Sequence, residues 1–214
     1  MVLSFPETTV FQRIHILTLK SDALIIQKNY AAAGDCLEEA VDLVKHAVPQ
    51  RADEVSAYPN TLLHYGRYLA NQKHEFAKAI DALTEALQFG DEQYKKGCLP
   101  DRFEAASILS QIGASYYGMD TETQGMENKR QSLWYFDQSV EVYRTAIKNR
   151  IRFQPAKAEP IFVNAAYAYD YYEDKETALS LLDEVVSMQD PGSPHGYRAI
   201  ENCTRIKEEL EGGK

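Results

Sequence analysis

Cysteine is scarce in this 214-residue sequence. The three cysteines, Cys36, Cys98 and Cys203, lie far apart and form no CxxC pair. This number and spacing argue against a disulfide framework and against a zinc site built on cysteines. We therefore expect a reducing compartment, and the predicted localisation is cytoplasmic.

Basic charge and long apolar runs are also lacking. Lysine and arginine together number 23 against 32 aspartates and glutamates, which gives a formal net charge of −9. A surface that binds phosphate needs the opposite balance, so nucleic acid is not expected as the main partner. No window approaches 18 apolar residues and the N-terminus has no secretory signal pattern, which predicts a protein without a membrane segment.

Motifs for catalysis and cofactor binding are missing as well. The sequence has no phosphate loop, dinucleotide fingerprint or HExxH, and its five histidines are dispersed without metal-ligand spacing. His64 is interpreted as a solvent-facing side chain in a groove, and Cys98 as a linker thiol with no base beside it. The sequence predicts no enzymatic activity, no metal and no cofactor.

What the sequence does contain is a helical pattern of small and large residues, clearest in residues 159–191. Apolar residues recur at steps of three and four in both halves, and a polar turn at 173–176 separates the halves. A small residue recurs where two helix backbones would meet, and a large one where a gap needs filling. The positions are Phe162, Ala165, Ala166 and Tyr169, then Ala178, Leu182 and Val185.

The same pattern occurs three more times along the chain. The four copies cover residues 16–47, 60–91, 104–147 and 159–191. The first copy has Ser21 where a glycine or alanine is expected. The matching positions in the second copy are Leu62, Tyr65, Gly66 and Leu69, then Phe76, Ala79, Leu83 and Ala86.

These helix–turn–helix copies resemble the tetratricopeptide repeat, whose period is about 34 residues. The resemblance implies an all-α, right-handed helical-repeat solenoid, formed as one domain over residues 1–214, with a C-terminal capping helix at 195–211. The polar residues 118–130 are predicted to be an inserted loop, either a binding element or tolerated surface variation. The alternative is a generic helical bundle whose spacing looks repeat-like by chance.

In the repeat family, the first helices line a concave surface, and the resemblance implies that their unpacked residues bind a partner. Asparagine and glutamine can pair with an extended peptide backbone, and tyrosine offers flat contact area. The implied peptide-binding residues are Asn60, His64, Arg67 and Asn71 in the second copy, Ser107, Gln111 and Tyr117 in the third, and Asn164, Tyr167 and Tyr171 in the fourth. The competing interpretation is that these are ordinary hydrated side chains. The set with which part of the family clamps a C-terminal carboxylate is matched only at Asn164.

The predicted function is that of a non-enzymatic adaptor or scaffold that binds a protein or peptide partner on its concave face. Two alternatives stay open: a self-assembling structural repeat protein, and a regulatory or scaffold subunit of an enzyme complex. Self-association into a homo-oligomer is suggested by a cluster of three adjacent aromatic residues, Trp134, Tyr135 and Phe136. Three neighbours on a helix cannot all face one seam, so at least one is expected to be exposed or covered by the loop.

Overall fold

A computed structural model describes residues 9–99, 102–151 and 155–212. Within these ranges the chain forms ten α-helices and no strand. Their bounds are α1 Val10–Ile26, α2 Tyr30–His46, α3 Ala52–Val55, α4 Ala57–Lys73, α5 Phe76–Lys95, α6 Phe103–Thr123, α7 Lys129–Lys148, α8 Pro155–Tyr171, α9 Lys175–Ser187 and α10 Pro194–Gly212. The prediction of an all-α chain is confirmed.

The chain divides into two compact units, Met1–Glu104 and Ala105–Lys214, called here the first and second unit. In the first unit, α1 packs on α2, α4 packs on α5, and both α1 and α2 contact α4. In the second unit, α8 packs on α7 and α9, and α10 packs on α8 and α9. Helices therefore pack mainly with their neighbours in sequence, as in a helical repeat. That the two units act as one domain stays a prediction.

The second helix of every pair buries the same small–large–small triplet of positions. All twelve of these side chains are 0% exposed: Ala33, Leu37 and Ala40 in α2, Ala79, Leu83 and Ala86 in α5, Ser132, Phe136 and Ser139 in α7, and Ala178, Leu182 and Val185 in α9. The last helix, α10, buries Ala199, Cys203 and Ile206 at the same spacing. The periodicity seen in the sequence is thus confirmed as a periodicity of burial.

Small residues in the first helices let the paired backbones approach closely. A Cβ atom added at Gly66 of α4 would lie 2.6 Å from Cγ of Leu83 in α5, and one at Gly113 would lie 3.1 Å from the Phe136 ring. Ser21, which stands in the corresponding place in α1, is fully buried and donates its hydroxyl to the carbonyl oxygen of Thr18 at 2.6 Å. The serine therefore fills the small-residue position without leaving a polar group unpaired.

The turns inside the helix pairs share one backbone feature. Each contains a non-glycine residue with positive φ: Lys28, His74, Gln124 and Glu173, with φ between 53° and 68°. One left-handed residue is a common way to end a helix and reverse the chain within a short turn. At the start of the first pair, Thr9 and Gln12 form a reciprocal capping box at the N-terminus of α1.

The prediction of an inserted loop at residues 118–130 is corrected by the structure. Helix α6 continues through Thr123 and α7 begins at Lys129, so only residues 124–128 form a turn. The hydroxyls of Thr121 and Thr123 donate to carbonyl oxygens of the preceding helical turn, at 2.9 and 3.0 Å. These polar side chains form hydrogen bonds within their own helix and are therefore compatible with helical structure. Most of the residues expected in the loop thus extend α6.

Candidate functional site

The predicted binding residues are divided between the two units. Asn60, His64, Arg67 and Asn71 lie on α4 in the first unit, and the remaining six lie on α6 and α8 in the second. The two sets are described separately below.

In the first unit, the four predicted residues share one face of α4, because their steps of four, three and four follow the helical period. We call Asn60, His64, Arg67 and Asn71 the α4 polar face. Asn60 and His64 are half-buried, whereas Arg67 and Asn71 are exposed. All four keep a polar group at or near the surface, in contrast to the packed residues Leu62, Gly66 and Leu69 of the same helix.

The α4 polar face is joined to α1 through a contact between a histidine ring and a carboxylate. Nδ1 of His64 lies 3.1 Å from Oδ1 of Asp22, and 21% of the His64 side chain is exposed. Asp22 was not among the predicted binding residues. Its place on α1, one turn from the buried Thr18, was visible in the sequence, but its pairing with a residue 42 positions away was not.

Arg67 differs from most arginines of the chain in its surroundings. Desolvation by the surrounding protein lowers the pKa of its guanidinium, and the charge of Asp22 opposes this lowering. Among the described residues, no carboxylate oxygen lies within 4 Å of it, whereas Arg13, Arg51, Arg102, Arg144 and Arg205 each have such a partner. Arg67 is therefore closely surrounded by protein atoms, open to water and without a contacting counter-ion.

A cavity of about 420 Å³ adjoins one end of this face, bounded by α1, α3 and α4. Asn60 is the one predicted residue that lines it, together with His15 and Thr18 of α1. Arg51 lies at its wall, 3.0 Å from the Asp53 carboxylate and 3.2 Å from that of Glu54. Its lining is thus mixed in polarity, and its arginine is already paired with two carboxylates.

In the second unit, the α6 residues do not form an open face. Gln111 is buried with 7% exposure, and Ser107 is half-buried. The expectation that Gln111 points into an open groove is therefore wrong. The reason is that α6 is covered on most of its circumference, with nine of the eleven residues from Ala105 to Ser115 buried.

Two of the predicted tyrosines are used to hold the turn between α6 and α7. The Tyr171 hydroxyl lies 3.0 Å from the carbonyl oxygen of Asp120 and 3.1 Å from that of Gly125, either of which can accept its hydrogen bond. The Tyr117 ring makes an edge contact with the Tyr171 ring at 5.3 Å between centroids. Burial, followed by the nearby Tyr171 and Asp170, raises the pKa of Tyr117. These rings pack inside the protein more than they face solvent.

The centre of that arrangement is Asp120, which is 0% exposed. Its carboxylate accepts hydrogen bonds from the backbone N–H of Asn128 at 3.1 Å, from the Asn128 side-chain amide at 2.9 Å and from the Tyr172 hydroxyl at 2.8 Å. Burial, and then the hydrogen bond to Asp120, raise the pKa of Tyr172. Lys129 donates to the carbonyl oxygen of Tyr172 at 2.9 Å, which ties the start of α7 to the end of α8. Sequence reasoning missed Asp120 because it stands in an apparently solvated polar stretch.

Asn164 and Tyr167 are the predicted residues of the second unit that remain at the surface. Asn164 is exposed, and Tyr167 is 36% exposed. The neighbouring Tyr169 is half-buried and donates its hydroxyl to Oδ1 of Asp137 at 2.6 Å. The open part of the predicted site on α8 thus consists of one amide and one aromatic ring.

A shallow depression of about 570 Å³ lies along α7 beside Tyr169. Its apolar centre is formed by Met126, Leu133 and Trp134, and Trp134 is 53% exposed. Tyr135 is half-buried and stacks on Tyr116 at 5.8 Å, while Phe136 is fully buried. The prediction that at least one of the three adjacent aromatics is exposed or covered by the loop is confirmed, since Trp134 is exposed.

The remaining reactive groups lie apart from these faces. Cys36 and Cys203 are buried and Cys98 is exposed, all as free thiols, and burial raises the pKa of Cys203 to about 11. Among the described residues, no three histidine, cysteine, aspartate or glutamate side chains cluster in a way that could hold a metal ion. Within the same ranges, every helix is too short or too polar to cross a membrane.

No protein-family model matches the chain, and no curated protein matches its sequence significantly.

Proposed function

We propose that this chain is a non-enzymatic adaptor of tetratricopeptide-repeat type, which binds an extended segment of a protein partner in the reducing environment of the cytoplasm. In this proposal the helix pairs stack into a right-handed solenoid, and α10 caps its last pair. The helix pairs, the recurring buried triplets and the left-handed turn residues support the architecture, since each is repeated from pair to pair.

One observation carries the binding function: the α4 polar face is a row of hydrogen-bonding groups at helical spacing, with Arg67 and Asn71 exposed, on a helix that is otherwise packed. Asn60 and Asn71 offer amide donors and acceptors, and Arg67 offers five N–H donors. The first and last of these residues are about 16 Å apart along the helix axis, from the rise of about 1.5 Å per residue. That length matches about five residues of extended peptide at about 3.3 Å each.

The test is a selection from random peptides displayed on phage, with the purified chain immobilised. Wild-type protein is expected to enrich a set of related peptides. A triple variant, Asn60→Ala with Arg67→Ala and Asn71→Ala, is expected to bind those peptides at least about tenfold more weakly, because each lost hydrogen bond to a charged or amide group contributes about 1 kcal/mol or more.

A matched control removes three exposed polar side chains from the second helices instead: Asp35→Ala, Asp81→Ala and Gln88→Ala. This variant is expected to bind like wild type, and circular dichroism should show equal helicity for all three proteins. Equal binding by the two triple variants would contradict the proposed site, and failure of wild type to enrich any peptide would contradict the function.

Self-assembly is the second candidate, and the surface of α1 favours it. Ile16, Leu19 and Ile26 fall on one side of this helix and are 55%, 55% and 82% exposed. A self-assembling chain would increase in mass with concentration in light scattering, and Leu19→Glu would abolish the increase. A strictly monomeric wild-type protein would eliminate this candidate.

A further inference from the structure

The charge around Arg67 indicates which peptides the α4 polar face would prefer. Asp22 is the charged group that acts on the Arg67 guanidinium, and its Oδ1 atom is engaged by His64 at 3.1 Å. No carboxylate among the described residues contacts Arg67 itself. In a chain with 32 acidic and 23 basic residues, Arg67 is thus an exposed and partly desolvated cation that no carboxylate of the described residues contacts.

We propose that the α4 polar face selects peptide segments that carry an aspartate or glutamate side chain, which the Arg67 guanidinium binds. This inference rests on the proposed peptide-binding function and specifies its ligand. A guanidinium presents two parallel N–H donors to the two oxygens of a carboxylate, and such charge-assisted bidentate pairs are stronger than neutral hydrogen bonds.

The arrangement also determines where the acidic residue lies in the peptide. Arg67 is four residues from Asn71 and seven from Asn60, or about 6 and 10 Å along the helix axis. With Asn60 and Asn71 pairing to the peptide backbone, the acidic side chain lies about two residues from the peptide end nearest Asn71 and about three from the end nearest Asn60. The recognised group is a side chain within the segment, so a free C-terminus is not required.

Asp22 opposes the binding of an acidic peptide, so a substitution that removes its charge should increase affinity and thereby test the proposal. Its negative charge repels an incoming carboxylate, and Asp22→Asn removes that charge while an amide oxygen remains to accept from His64. Acidic peptides are expected to bind this variant about threefold or more tightly than wild type.

The experiment is the phage selection with peptides whose C-termini are fused to the coat protein, so that no terminal carboxylate is offered. Wild type is expected to enrich aspartate and glutamate, and Arg67→Gln to lose that enrichment. Arg130→Gln is the control, because Arg130 is also exposed and has no carboxylate within 4 Å among the described residues. An enriched peptide is then synthesised with glutamate or glutamine at the selected position, and wild type should prefer glutamate about tenfold.

The outcomes separate this inference from the function on which it rests. If wild type enriches peptides without acidic residues, or if Arg67→Gln keeps the acidic preference, the inference is overturned and peptide binding stands. If wild type enriches no peptide, the proposed function fails and the inference fails with it. Loss of the preference in Arg67→Gln but not in Arg130→Gln, together with tighter binding by Asp22→Asn, supports the inference.

Discussion

The polar surfaces of α4 in the first unit and of α6 and α8 in the second were predicted from the same spacing, yet they differ in use. On α4, Arg67 and Asn71 remain exposed and His64 keeps part of its side chain at the surface. In the second unit, Gln111 is buried and Tyr171 is hydrogen-bonded to the α6–α7 turn. The first surface keeps polar side chains exposed to solvent, and much of the second is used in contacts within the protein.

This difference shows that a polar side chain at the expected position of a first helix is not always exposed, because contacts within the protein can bury it or occupy its hydrogen-bonding groups. The decisive residue is Asp120, because a buried carboxylate must be surrounded by donors. Tyr172 and Asn128 supply them, and the packing that brings these groups together also draws Tyr171 and Tyr117 inward. The first unit has a shorter turn at His74 and Glu75, with no counterpart to this buried acid among its described residues.

The largest expected effect comes from removing that buried acid. Asp120→Ala leaves the Tyr172 hydroxyl and two Asn128 donors without their acceptor, and we expect unfolding free energy to fall by about 4 kcal/mol. Trp134, the only tryptophan, lies in the second unit, so its fluorescence during urea unfolding measures the loss where it occurs. Asp35→Ala, which removes an exposed carboxylate from α2, is the control and should change stability by less than about 0.5 kcal/mol. A similar small change for Asp120→Ala would show that the hydrogen-bonded turn is not what distinguishes the second unit.

The next effect tests packing in the first unit. Gly66→Val places a branched side chain where Leu83 already lies, since even a Cβ would be 2.6 Å from its Cγ. We expect a loss of about 2 kcal/mol from overpacking, measured by urea unfolding followed by circular dichroism. Gly90→Val is the matched helical control, because nothing lies within 4 Å of an added Cβ there. Equal stability of the two variants would mean that α4 and α5 do not approach as closely as described.

A smaller effect separates the tyrosines of α8. Tyr171→Phe removes the hydroxyl that bonds to the carbonyl oxygen of Asp120 or Gly125, and we expect a loss of about 1 kcal/mol in the transition reported by Trp134. Tyr167→Phe removes a hydroxyl from an exposed ring, so the free energy of unfolding should not change. Partner binding can still change in this variant. If the two variants are equally stable, the Tyr171 hydroxyl does not stabilise the α6–α7 turn and the two tyrosines do not differ in role.

The smallest expected effect on stability is at the proposed binding arginine. Arg67→Gln removes a cation with no contacting carboxylate among the described residues, so unfolding free energy should change by less than about 0.5 kcal/mol. The same urea titration by circular dichroism measures it. A loss above about 1 kcal/mol would assign Arg67 to the fold and would undermine its use as an available ligand-binding group.

Much of the fold could be predicted from the sequence because it depends on local periodicity. Ala79, Leu83 and Ala86 recur at helical steps, and any helix with that spacing must bury one stripe against a neighbour. Gly66 was expected to face the neighbouring helix because the resemblance to the repeat family implies a small residue at that position. Gln111 could not be assigned correctly, because its burial depends on how many neighbours cover α6. The role of Asp120 was still harder to predict from the sequence, since its hydrogen-bond partner Tyr172 lies 52 residues away.

The sequence by itself determined that the chain is helical and which residues form the buried stripes of its second helices. These properties follow from residue spacing and turn chemistry, which act over a few positions. Only the tertiary structure decided which polar side chains remain exposed. It paired His64 with Asp22, left Arg67 without a contacting carboxylate among the described residues, buried Asp120 and engaged the Tyr171 hydroxyl in a hydrogen bond. The physical reason is that desolvation and hydrogen bonding depend on every group nearby in space, whatever its distance along the chain.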